Sequence, residues 1–204
     1  PSAARYAELL SGAIVQLKVE RPILLGNSIG GAAAIIHASA KPVKALVLCN
    51  PGGLIEVTPD ISRACQAMAR FFDAGARKAW WFRPAFRAYY RFLVLPSPAA
   101  RAQRKRIVAA GYEIAPLLRD AWLSFGRPEA DIRALAAELD VPAWFAWATG
   151  DKIVQLSRCQ PAIDAMKRAR LTKFRGGHAA FLERPAQFAK EFRRFAKTLD
   201  GAAR

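Results

Sequence analysis

The sequence predicts an α/β fold, a mostly parallel sheet with helices on both faces. Three observations carry this. Two short, continuously apolar runs, "RPILLG" and "VKALVLC", read as buried strands. Each is preceded by a helical stretch, in the helix–strand–helix–strand rhythm of a parallel sheet. The same rhythm returns after residue 131, where helix, strand, helix, strand and helix follow in turn.

Taken in order, residues 3–18 place Tyr6, Leu9, Leu10, Ile14 and Leu17 at helical spacing, an amphipathic helix. "RPILLG" follows as a strand buried on both faces. Residues 31–40 are helical, and Pro42 marks their end. "VKALVLCNPGG" is a second buried strand, stopped by its Pro-Gly-Gly.

From 54 to 130 the rhythm changes to helices rich in aromatics and arginines, broken once by "LPSPAA". This segment reads as a helical insertion. Beyond it come a helix in "IRALAAELD", a strand over 141–148, a helix in "QPAIDAMKRA", a short strand in "LTKFRGG" and a closing amphipathic helix in "PAQFAKEFRRFAKTL".

The bulk numbers bound the class. At 204 residues and 53% hydrophobic, the chain is long enough for one domain with a core, which argues against disorder. No apolar run approaches the roughly 20 residues that span a bilayer. Cys49, Cys65 and Cys159 form no C-x-x-C pair and no cluster with histidine, so neither zinc nor a disulfide framework is expected. A reducing cytoplasm is the plain reading. The net charge of +16 is spread along the chain, heaviest in its middle. No nucleic-acid-binding signature accompanies it, so nucleic acid is not the expected partner.

The chemistry centres on "GNSIG", residues 26–30, between a predicted strand and a predicted helix. G-x-S-x-G in that context lifts a serine oxygen clear of a sheet. Such a turn strains the backbone and packs helix on strand, so Cβ atoms at 26 and 30 are expected to collide with their surroundings. Ser28 is then a candidate nucleophile. The Ile29 N–H, at a helix N-terminus, is a candidate oxyanion donor.

Of the two histidines, His37 lies nine residues along the helix from Ser28 and reads as packed or surface. His178 follows a strand end and two glycines, where catalytic groups sit in open α/β sheets. Asp151, in "WATGDKIV", also follows a buried strand directly and can orient the His178 imidazole. Asp164 and Glu183 are the weaker candidates for that acid. The chain order Ser28…Asp151…His178 is one of the three known orders of a serine–histidine–acid triad.

From about residue 3 to 199 the chain resembles the α/β-hydrolase superfamily. It is most similar to the cofactor-independent serine hydrolases whose elbow reads G-N-S-x-G-G, carbon–carbon bond hydrolases and esterases among them. The stretches "ELLSGAIVQLKVERPILLGNSIGG", "GDKIV" and "GGHAAFLERPAQF" carry the resemblance. It implies an α/β-hydrolase fold with a core of 1–53 and 131–204 and a helical cap of 54–130. It also implies Ser28 as nucleophile, Asp151 as acid, His178 as base, and no metal or organic cofactor. The resemblance further implies strands ahead of the opening helix, and a loop there, often His-Gly, with the other oxyanion donor. Residues 1–204 therefore read as the carboxyl-terminal two-thirds of such an enzyme, lacking the first strands. The expectations are an open edge on the nucleophile strand and, for the chain taken alone, poor stability or near inactivity.

The expected function is a serine hydrolase cleaving an ester or carbon–carbon bond of a small apolar or aromatic molecule through an acyl-enzyme. A non-catalytic binding module of the same fold, or an inactive fragment, is the alternative. In the cap, the aromatics are expected to form a core of their own and Arg83, Arg87 and Arg91 to be solvated. A pocket in which those arginines hold a substrate carboxylate, or a face resting on a membrane, are the weaker readings.

Overall fold

The computed structural model describes residues 1–201. Four strands, β1 (Ile23–Asn27), β2 (Ala45–Cys49), β3 (Ala143–Ala148) and β4 (Ala169–Phe174), form one sheet in the order β1-β2-β3-β4. All three pairings are parallel, with Ile23 opposite Ala45, Leu46 opposite Ala143 and Ala143 opposite Ala169. Parallel sheets need cover on both faces, and here two sets of helices supply it. Helices α1 (Ala3–Gln16), α2 (Ile29–Ala40), α7 (Arg133–Glu138) and α8 (Leu156–Asp164) lie over one face. Helices α9 (Ala180–Glu183) and α10 (Pro185–Gly201) lie over the other.

Burial along the strands follows from this cover. Every residue of β2 and β3 is buried. Strand β1 departs from the expectation of burial on both faces: Leu24 is buried, whereas Ile23 and Leu25 are exposed. β1 is an edge strand, as β4 is at the other side of the sheet. Helix α10 packs its Phe188, Phe192 and Phe195 around Trp144, two strands away, so the α10 layer sits over the middle of the sheet. The spacing of those residues with Leu199 is one helix face, and that face was readable in the sequence.

Helix α2 begins at Ile29, two residues before the sequence pattern suggested, and Pro42 ends it. Lys41, the residue before the proline, is already extended at φ −138° and ψ 146°. The third-strand expectation of 141–148 contracts to Ala143–Ala148, because Pro142 cannot donate to a ladder.

Between β2 and α7 the chain leaves and re-enters through a narrow neck, where the Ile132 N–H donates to the Gly53 carbonyl at 2.9 Å. Outside the neck lie α3 (Pro59–Ala76), α4 (Phe82–Tyr89), a π-helical turn (Tyr90–Val94), α5 (Arg101–Ala109) and α6 (Gly111–Phe125). Phe72, Phe82, Phe86 and Ala115 form a separate apolar core there. Phe82 and Phe86 stack at 5.1 Å, and Phe72 meets both edge-on. Arg83, Arg87 and Arg91 are exposed. Arg91 lies over the Phe92 ring at 5.5 Å and donates to the Pro96 carbonyl.

Candidate active site

Ser28 sits between β1 and α2 with φ 53° and ψ −120°, a left-handed conformation that non-glycine residues rarely hold. The surrounding contacts enforce it. The Ser28 N–H donates to the Cys49 carbonyl at 3.1 Å, and the Ser28 carbonyl accepts from the amides of Gly31, Ala32 and Gly52. A Cβ at Gly26 would stand 2.3 Å from the Gly30 carbonyl oxygen, so only glycine fits. The expectation for Gly30 does not hold, because a Cβ there meets nothing within 4 Å. The cramped neighbour is Gly31, whose Cβ would come 2.6 Å from Pro51. The reason is helical geometry: residue 31, three on from Ser28, faces back onto the strand ends, and residue 30 does not.

Ile29 opens α2. The first amides of a helix have no carbonyl within it to bond, so the Ile29 N–H is aimed outward beside Ser28 with the positive end of the helix dipole.

His178 and Asp151 meet. The His178 Nδ1 lies 2.7 Å from Asp151 Oδ2, and both residues are buried. The other oxygen, Asp151 Oδ1, accepts from the amides of Ile153 at 2.8 Å and Val154 at 3.1 Å. The His178 backbone is held on both sides of its Cα. Asn27 Nδ2 donates to the His178 carbonyl at 2.9 Å, and the His178 N–H donates to the Val94 carbonyl at 2.7 Å.

The weaker acid candidates go elsewhere. Glu183 is almost wholly buried, and its two oxygens accept from the amides of Gly177 at 2.6 Å and Ser97 at 3.0 Å. Asp164 accepts from Gln160 on the helix surface. His37 is buried 26 residues from its partner in sequence: its Nδ1 lies 2.8 Å from the Ser11 hydroxyl, between α2 and α1.

Ser28, Ile29 and His178 all line one cavity of about 650 Å³. Its walls are mostly apolar: Leu54; Ile61 and Met68 of α3; Leu118 and Trp122 of α6; and Ile153 after β3. Tyr89 and Tyr90 also face it. Burial pushes both phenols up, Tyr90 to about 12, with Tyr90 and then Asp151 adding to the effect on Tyr89, so both stay neutral. Arg83, Arg87 and Arg91 are absent from its lining. Among the described residues no group of three His, Cys, Asp or Glu side chains could hold a metal ion.

Sequence reasoning did not single out Asn27, Asn50 or the structural use of Glu183. For Asn50 a signal existed, since it follows a buried strand directly, as Asp151 does.

Three comparisons bear on this arrangement. A thermophilic esterase from Thermogutta terrifontis superimposes with a TM-score of 0.76 at 17% identity, covering 98% of this chain and 73% of that one. The esterase RhEst1 from Rhodococcus sp. ECU1013 gives 0.75 at 21% identity, over 97% and 73%. An enol-lactonase from Burkholderia xenovorans LB400 gives 0.69 at 19%, over 97% and 74%. These likenesses show the fold. The model of the alpha/beta hydrolase family matches residues 1–191, nearly the whole sequence, and the chain therefore belongs to the alpha/beta hydrolase family, as a hydrolase built on a four-stranded parallel sheet.

Proposed function

We propose that the protein is a serine hydrolase that cleaves an ester of a small apolar or aromatic acid, using Ser28, His178 and Asp151 and passing through an acyl-enzyme. The 2.7 Å contact between His178 Nδ1 and Asp151 Oδ2, on the wall of the cavity that also holds Ser28, carries the reading. With Nδ1–H held by the carboxylate, Nε2 is the basic nitrogen. It takes the Ser28 proton as Oγ attacks the ester carbonyl carbon. The oxyanion forms beside the Ile29 N–H. Collapse breaks the carbonyl–alkoxide bond, and the alcohol leaves with the proton from His178. Water, deprotonated by the same nitrogen, then releases the acid and restores Ser28.

The helical segment 54–130 acts as a cap, and the apolar walls it supplies favour an uncharged acyl chain or ring. The esterases and the enol-lactonase that share the fold support ester or lactone cleavage ahead of carbon–carbon cleavage. The three cysteines are free and buried, and this suits a reducing cytoplasm. Among the described residues no helix is long and apolar enough to cross a membrane. The expected partner is the small-molecule substrate.

The test is labelling by a fluorophosphonate, with hydrolysis of p-nitrophenyl butyrate on the same samples. Labelling and turnover that disappear in both Ser28→Ala and His178→Ala, with circular dichroism unchanged, are expected. A folded protein that is not labelled, or that is labelled equally in Ser28→Ala, would overturn the reading and favour a binding module.

A further inference from the structure

We propose that Asn50 is a positioning residue of the site, acting through Asp151 on His178; this rests on the hydrolase reading above. Asn50 stands one residue past β2, fully buried, with φ 42°. Asparagine tolerates this left-handed conformation better than most residues. Its side-chain amide does two things at once. Oδ1 accepts from the Ala148 N–H at 2.9 Å and Nδ2 donates to the Ala148 carbonyl at 3.2 Å, so the amide extends the β2–β3 ladder by one rung after the β2 main chain has turned away. Nδ2 also donates to Asp151 Oδ2 at 2.7 Å.

That oxygen is the one His178 uses. Asp151 thus has four hydrogen bonds, about the full capacity of a carboxylate, on a side chain only 1% exposed. With Asn50 in place, solvent does not reach that oxygen. The amide consequently sets two properties of the pair. It fixes the carboxylate plane against which the imidazole is aligned. It also draws charge from Oδ2, which limits how tightly the protonated imidazole is held.

Removing the donor should leave His178 misaligned and should make it hold its proton more strongly. The acid limb of the pH–rate profile then moves to higher pH. A residue that merely stabilised the fold would lower the folded fraction and leave that limb in place.

The experiment compares the pH dependence of p-nitrophenyl butyrate kcat/KM, and of fluorophosphonate inactivation, for the parent, Asn50→Gly and Asn50→Asp. Glycine suits the positive φ and lacks the amide. We expect kcat/KM roughly 10- to 100-fold lower, with KM little changed and the acid limb displaced to higher pH. Aspartate keeps an acceptor for Ala148 and puts a second carboxylate against Asp151. The two then share a proton, and the profile gains an ionisation that the parent lacks. Parent-like limbs in both folded variants would overturn the inference while leaving the hydrolase reading intact. Failure of both variants to fold would also overturn it, because Asn50 would then belong to the fold alone. An unlabelled parent would instead sink the hydrolase reading itself.

Discussion

The two histidines of this chain are close matches in local chemistry and differ in use. Both are buried, and each presents Nδ1 to an oxygen at 2.7–2.8 Å. His37 faces the hydroxyl of Ser11, and that hydroxyl donates its proton to the Ala7 carbonyl at 2.8 Å. With its proton committed, Ser11 can only accept, so the pair is a neutral tie between two helices. His178 faces a carboxylate that can hold a positive imidazole, and its ring lines a cavity shared with a strained serine. A serine near a histidine is therefore not a catalytic dyad in itself. What separates the two sites is the charge behind the ring and open space in front of it.

Breaking the comparison at its strongest point, His178→Gln should lower p-nitrophenyl butyrate turnover by about 10⁴- to 10⁶-fold, whereas His37→Gln should leave the rate at the parent level. Comparable losses in the two would erase the distinction. Next in size, Asp151→Asn should cost about 10⁴-fold in kcat with circular dichroism unchanged, since the imidazole loses its charged partner but the loop amides keep an acceptor.

A second comparison sets Glu183 against Asp151, two buried carboxylates in one neighbourhood. Glu183 holds amides, so Glu183→Ala should destabilise the fold by about 3 kcal/mol in urea titration by stranding the buried Gly177 N–H and the half-buried Ser97 N–H. Glu183→Gln should recover part of that loss by keeping one acceptor.

The smallest effect concerns His37 and pH. Burial, and after it the charge of Lys41, holds His37 below its ordinary value of 6.5. The folded state thus keeps it neutral while the unfolded chain takes up a proton. Stability from this residue is full above about pH 6.5 and declines as pH falls below it. In His37→Gln the urea midpoint should change less between about pH 8 and about pH 5.5 than in the parent. An identical decline in both proteins would assign the pH dependence to other groups.

Much of the fold was legible because its signals are local. The apolar runs of β2 and β3 read as buried strands, and both are. The same reasoning misjudged β1, whose run looks alike but whose place at the sheet edge exposes Ile23 and Leu25. The serine turn was legible too, and Gly26 was understood, but Gly30 was mistaken for Gly31. That difference depends on how α2 lies against Pro51, a contact no periodicity reports.

By itself, the sequence determined the alternation of helix and strand, the strand–turn–helix around Ser28, and the order in which serine, aspartate and histidine arrive at strand ends. Each is set within a dozen residues by apolar spacing, glycine and proline. Only the tertiary structure decided that Asp151 meets His178, 27 residues on, and that Asn50, 101 residues before Asp151, shares the same oxygen. It also decided that Glu183 binds amides and that His37 stays a tie between helices. The physical reason is range. A hydrogen bond acts over about 3 Å, and which buried polar groups come that close is settled by how the helices and strands pack.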